Sequence, residues 1–148
     1  MGYKTVALSN GESKREFAHK LGAHEYVDTS KEDPVEKLRQ MGGADLICAT
    51  APNSKAIGPL VAGLAPGGKL LVLAAVGQIE FDTIAMISAC SSVHGWASGH
   101  ALDSEDTIAF ARNNGVKCMI EKFPLTDVNK AFQHMVSGKA RFRAVLVP

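Results

Sequence analysis

Ser9, Lys14 and Arg15 stand in the run "VALSNGESKRE", directly after a block of apolar residues. A hydroxyl followed by two cations can hold a phosphate group, because hydrogen bonds from an ionised Lys or Arg to phosphate oxygens are the strong ones. The same stretch also reads as a polar loop with an ordinary capping serine and a solvated lysine. Metal chemistry finds less support. His19, His24, His94, His100 and His134 show neither H-x-x-x-H nor H-E-x-x-H spacing, and Cys48, Cys90 and Cys118 form no C-x-x-C pair. His19 reads most simply as a surface residue, and Met86, Met119 and Met135 as core. No G-x-S-x-G elbow is present, so a Ser/His/Asp hydrolase is not expected.

Bulk properties narrow the classes further. The 148 residues, 46% hydrophobic and 21% charged, can build one domain with a real core. Sixteen basic residues face 15 acidic ones, a net charge of +1, which offers no surplus for nucleic acid or an anionic membrane. The longest apolar stretch, "KLLVLAAVG", is too short to span a bilayer. The N-terminus lacks the basic start and long apolar core of a signal peptide. Three cysteines far apart make a disulfide framework unexpected, so a reducing cytoplasm is the expected location.

The elements that must position the polar residues follow from periodicity. "YKTVAL" reads as a buried strand. Ser13 and Glu16 form a capping box for a helix that buries Phe17, Ala18 and Leu21 and stops at Gly22. "HEYVD" is a short strand. Asp33, Pro34 and Glu36 start a second helix, with Val35 and Leu38 inward, that stops at Gly42 and Gly43. "ADLICAT" is a strand, and Asn53 or Ser54 opens a helix carrying Ile57, Leu60, Val61 and Leu64. Pro66, Gly67 and Gly68 turn into the strand "KLLVLAA". "TIAMISACS" is helical and "SVHGW" a short strand. "SEDTIAFARNNG" is a helix capped by Ser104 and stopped by Gly115. "CMIEKFPL" is extended, "DVNKAFQHMVSG" an amphipathic helix, and "FRAVLVP" a final strand. Strands alternating with helices predict an α/β fold with a parallel sheet and helices on both faces.

The phrases "KLGAHEYVDT", "GGADLICATA", "LAPGGKLLVLAAVG" and "FPLTDVNKAFQHMVSGKARFRAVLV" together resemble the C-terminal part of the medium-chain dehydrogenase/reductase family, in particular its zinc-type alcohol dehydrogenases. The resemblance covers residues 3–148. It implies a truncated Rossmann domain over residues 1–117 that lacks the first βα unit with its G-x-G-x-x-G loop, and a segment, 118–148, that returns to the catalytic domain. Met1 is then either an internal methionine of a longer protein or the start of a truncated frame. In a sheet of order 3-2-1-4-5-6 the first strand is central, so its absence leaves open edges that recruit partners. The pyrophosphate loses its main anion site as well.

The resemblance also implies roles for particular residues. An acidic residue commonly ends the second Rossmann strand of NAD enzymes and binds the ribose 2′-OH. Ser9 stands there instead, and "SNGESK" resembles the signature of NADP-using cinnamyl-type enzymes, in which Ser9, Asn10, Ser13 and Lys14 would surround a 2′-phosphate. Gly11 and Glu12 depart from that signature, and Glu12 would weaken phosphate binding. Thr50 and Ala51 would border the riboses, or simply cap the next helix. Ala75, Val76 and Trp96 would lie by the nicotinamide, with Trp96 alternatively in the core or on a dimer surface. Arg143 would reach the coenzyme phosphates, with Arg141 competing for that role and a solvated surface arginine as the plain reading. No catalytic residue and no metal ligand is inherited, because the zinc ligands lie mostly in the catalytic domain. The implied protein uses NADP (or NAD), carries zinc only when full-length, and acts on a small alcohol or aldehyde. It forms a homodimer through "SVHGW" and binds neither nucleic acid nor membrane. The chain alone is expected to be inactive. The alternatives are a non-catalytic nucleotide-sensing or dimerisation module, and a fragment of a zinc-free quinone reductase.

Overall fold

The structure is a computed structural model that describes residues 2–148. The expectation about Met1 lies outside the described residues. The chain divides into two compact units, with the break after Ser98.

The first unit holds two parallel sheets. Strand β1 (Val6–Ser9) pairs with β2 (Glu25–Asp28), setting Ser9 opposite Asp28. Between them a 3-10 turn, Glu12–Lys14, leads into helix α1 (Arg15–Lys20). The expected Ser13/Glu16 capping box does not form, because the turn starts earlier: the chain bends at Gly11 (φ 84°), and no side chain caps either start. Helix α2 (Pro34–Gln40) starts where expected, with Asp33 Oδ1 accepting from the amides of Val35 at 2.8 Å and Glu36 at 3.4 Å, but the Glu36 carboxylate does not complete the expected capping box. Two glycines at positive φ, Gly42 and Gly43, then turn the chain into β3 (Ala44–Ala49).

Strand β3 belongs to a second sheet, ordered β3-β4-β5, with β4 at Leu64–Val72 and β5 at Ser92–Gly95. The sheets stay separate: β1 pairs only with β2, and β3 only with β4. Among the described residues, β1 and β3 each therefore keep one edge without a partner strand. Helix α3 (Ser54–Ile57, capped by Asn53) runs into a 3-10 segment, Gly58–Gly63, so Leu64 opens β4 instead of closing the helix. Helix α4 (Thr83–Ala89) precedes β5. Because side chains alternate along a strand, Ile47, Ala49, Leu70 and Val93 share the face that meets Leu38, Ile57, Leu60 and Val61 in one core. The opposite face presents Leu46, Cys48, Lys69 and His94, all exposed.

The second unit contains α5 (Ala101–Asn113) and a βαβ unit of β6 (Ile120–Pro124), α6 (Val128–Val136) and β7 (Arg143–Val147), with β6 and β7 parallel. Helix α5 is capped by His100, four residues before the expected Ser104, and Asp103 Oδ2 accepts from His100 N at 2.9 Å. It stands with this second unit, ahead of residue 118.

Candidate functional site

The loop after β1 is organised from β2. Asp28, only 1% exposed, accepts at Oδ1 from the amide of Gly11 at 2.8 Å, the amide of Ser30 at 3.0 Å and the hydroxyl of Ser30 at 2.6 Å. The Ser30 hydroxyl, helped by the two amides, outweighs burial and holds the Asp28 carboxyl down to about 2. Lys31 Nζ lies 3.8 Å from Oδ2. Tyr26, also buried, donates its hydroxyl to the carbonyl of Gly11 at 2.5 Å. Neither residue stood out in the sequence. A buried carboxylate in "EYVDTS" carries no local mark that separates it from an exposed one.

The loop then brings Ser9 and Lys14 together, with Lys14 Nζ donating to Ser9 Oγ at 3.3 Å. Asn10 and Ser13 are exposed beside them in the chain. Arg15 does not accompany Lys14. Its guanidinium pairs with Glu12, donates to the carbonyl of Tyr26 at 3.1 Å and lies 4.8 Å from the centre of the Tyr26 ring. Glu12 is also 3.5 Å from Lys31 Nζ, so two cations answer its charge, and its pKa is lowered chiefly by the hydrogen bond from Arg15. The donor set left at Ser9 and Lys14 suits an anion.

The other candidates line the carboxyl ends of β3, β4 and β5. Ala49, Val72 and Gly95 are in register. The next residues continue the ladder, Leu73 N donating to Ala49 O at 3.0 Å and Trp96 N to Val72 O at 3.1 Å. Thr50 and Ala51 are exposed, and Ala51 O accepts from Asn53 N at 2.8 Å on the way to the α3 cap. Ala75 is exposed, while Val76 packs on the core. Trp96 is 66% exposed and so is no core residue. Ligands of open α/β sheets bind beyond the carboxyl ends of strands, where these loops converge.

In the second unit Arg143 opens β7 opposite Ile120 and is exposed. Arg141 is held locally: its amide donates to Glu121 Oε1 at 2.5 Å, and its guanidinium donates to the carbonyls of Gly138 and Ala140 at 2.9 and 3.2 Å. Glu121 also meets His134 Nε2 at 2.6 Å. The Arg141 amide, with His134 behind it, lowers the Glu121 pKa. Among the described residues no three His, Cys, Asp or Glu side chains come together as a metal site.

Residues 1–113 match the family model described as zinc-binding dehydrogenase. Alcohol dehydrogenase patD of Penicillium expansum is 54% identical over 145 residues, which cover 98% of this chain and 43% of that protein. An alcohol dehydrogenase of Geobacillus stearothermophilus is 31% identical over 151 residues, covering 99% and 44%. Among solved structures, a cinnamyl alcohol dehydrogenase of Sorghum bicolor superposes with a TM-score of 0.80 at 27% identity, over 95% of this chain and 40% of that one. The chain thus spans roughly two-fifths of the length of these relatives. The matched residues include the loop after β1 and the three carboxyl-edge loops, and the chain belongs to the zinc-binding dehydrogenases of the medium-chain dehydrogenase/reductase family.

Proposed function

We propose that this chain supplies the coenzyme-holding part of an NADP-preferring alcohol dehydrogenase acting on small alcohols and aldehydes. The observation that carries the reading is the Ser9–Lys14 pair at the carboxyl end of β1, with the nearby Glu12 charge taken up by Arg15 and Lys31. A carboxylate at Ser9 would repel a 2′-phosphate, whereas a hydroxyl and an ammonium attract it. Ser9, Asn10, Ser13 and Lys14 would hold the adenosine side. Thr50 and Ala51 would border the riboses, and Ala75, Val76 and Trp96 would flank the nicotinamide. The bound dinucleotide supplies the hydride acceptor or donor; the residues of this chain bind and orient it.

Zinc does not fit this chain's own donor set, since no three suitable side chains meet among the described residues. A chain with the coenzyme contacts but without an acid, a base or a metal centre is expected not to turn over alone.

The reading includes a cytoplasmic homodimer formed through β5. No helix among the described residues is long and apolar enough to cross a membrane, and β5 has one paired and one open edge. The test is a graft: this chain replaces the matching segment of the Penicillium expansum relative, and NADPH and NADH are compared by kcat/KM with a panel of small aldehydes. Preference for NADPH supports the reading, and equal use of both, or preference for NADH, overturns it.

A further inference from the structure

Gly11 is held at both of its peptide groups by β2. Its N–H donates to Asp28, 17 residues on, and its carbonyl accepts from the Tyr26 hydroxyl, 15 residues on. At φ 84° and ψ 152° the residue adopts a backbone state that L side chains rarely enter. The two hydrogen bonds select that state from the many a glycine can reach.

The chemistry of the two side chains exceeds what packing requires. Asp28 is a carboxylate at 1% exposure, a costly choice that apolar residues of similar size would avoid. It is stabilised by three donors on one oxygen, two of them from Ser30, which fixes the direction of the third towards Gly11. Tyr26 is buried beneath Arg15, where a phenylalanine ring would fill the same space; its hydroxyl serves Gly11. Ser9 is set by the ladder opposite Asp28, whereas Lys14 lies beyond the Gly11 bend. The Ser9–Lys14 separation therefore depends on that bend.

We propose that Tyr26 and Asp28 form a two-point clamp on Gly11 that positions the Ser9–Lys14 loop for a ribose 2′-phosphate. The clamp touches no coenzyme atom; both are positioning residues, and the proposal rests on the NADP reading above.

Nuclear magnetic resonance of the 148-residue chain tests it without turnover and tolerates weak binding. The probes are adenosine 2′,5′-bisphosphate and adenosine 5′-monophosphate, with hydrogen exchange of the Gly11 amide measured alongside. The wild type should bind the bisphosphate more tightly and protect the Gly11 amide. Asp28→Asn should speed Gly11 exchange and weaken bisphosphate binding by about tenfold, the scale of one charge-assisted hydrogen bond, with the monophosphate nearly unaffected. Tyr26→Phe should shift the same readouts in the same direction with the ring retained, and it decides the matter if Asp28→Asn fails to fold. Equal loss for both nucleotides would show a merely structural role and overturn the clamp, as would a freed Gly11 amide with discrimination intact. Absence of discrimination in the wild type sinks the NADP reading itself, and with it the clamp's role at the phosphate.

Discussion

Lys14 Nζ lies 3.3 Å from Ser9 Oγ, so the hydroxyl that ends β1 and the ammonium that ends the next turn meet at one point. Ser9→Asp would convert this contact into an ion pair and set a negative charge at the proposed 2′-phosphate position. In the grafted enzyme the NADPH:NADH ratio of kcat/KM should invert, by roughly 1–3 kcal/mol in transition-state stabilisation. An unchanged ratio would count against the role given to Ser9.

The isolated chain should bind either coenzyme weakly, because the proposed contacts would reach only the ends of the dinucleotide and its sequence has no G-x-G-x-x-G loop for the pyrophosphate. Trp96, 66% exposed at the end of β5 and the only tryptophan, is the probe. Titration with NADPH should leave its fluorescence without saturable quenching in the micromolar range. Saturation there would mean that the Ser9–Lys14 loop and carboxyl-edge contacts suffice.

The proposed dimer can be tested at β5. In a parallel ladder alternate residues direct both backbone groups to the same neighbour. Trp96 N donates to Val72 O on β4, so Val93 and Gly95 turn theirs to the open edge. Val93→Pro removes one outward N–H and no β4–β5 hydrogen bond. Light scattering should show a wild-type dimer and a weakened one in the variant, with circular dichroism confirming the fold. A wild-type monomer at high concentration refutes the dimer. A folded variant that still dimerises places the contact elsewhere.

Acid should act on Asp28. Its carboxyl is held at about 2 against an ordinary 3.8, chiefly by the Ser30 hydroxyl. A depressed folded-state value favours the folded form while the group is ionised. That contribution is complete above about pH 4 and is lost as the pH falls through about 2. The Tm difference between wild type and Asp28→Asn should therefore be constant from pH 7 to 5 and shrink between about pH 4 and 2. A difference that stays the same at low pH would show that the carboxylate's charge does not contribute.

Gly42 and Gly43 separate backbone strain from collision. Both have positive φ, 96° and 85°, but a Cβ on Gly42 meets nothing within 4 Å, whereas one on Gly43 comes within 2.6 Å of Ala65 N. Gly42→Ala should cost about 1 kcal/mol from strain alone, and Gly43→Ala clearly more, on the order of 3 kcal/mol or above, because β4 must shift as well. Chemical denaturation measures both. Equal costs would show that the Ala65 backbone yields freely.

The sequence alone determined what depends on near neighbours. Apolar runs marked the strands, Asp33 with Pro34 marked the start of α2, and glycines at Gly22, Gly42 and Gly115 marked stops that the structure places at positive φ. The parallel α/β order and the open edges of β1 and β3 followed from strand order and from the resemblance. Thr50, Ala75 and Trp96, which periodicity counts at the ends of their strands, lie just beyond β3, β4 and β5. Tertiary structure decided which polar groups meet. The Ser13/Glu16 box was plausible locally, yet the chain enters α1 through a bend at Gly11 set by Tyr26 and Asp28. Arg15 was equally plausible as a phosphate partner, but Glu12 and Tyr26 hold it. Capping rules act over three or four residues, the separation of Glu12 and Arg15, whereas the β2 partners of Gly11 and Arg15 lie 11 to 17 positions away and are brought in by the β1–β2 register, which places Ser9 beside Asp28.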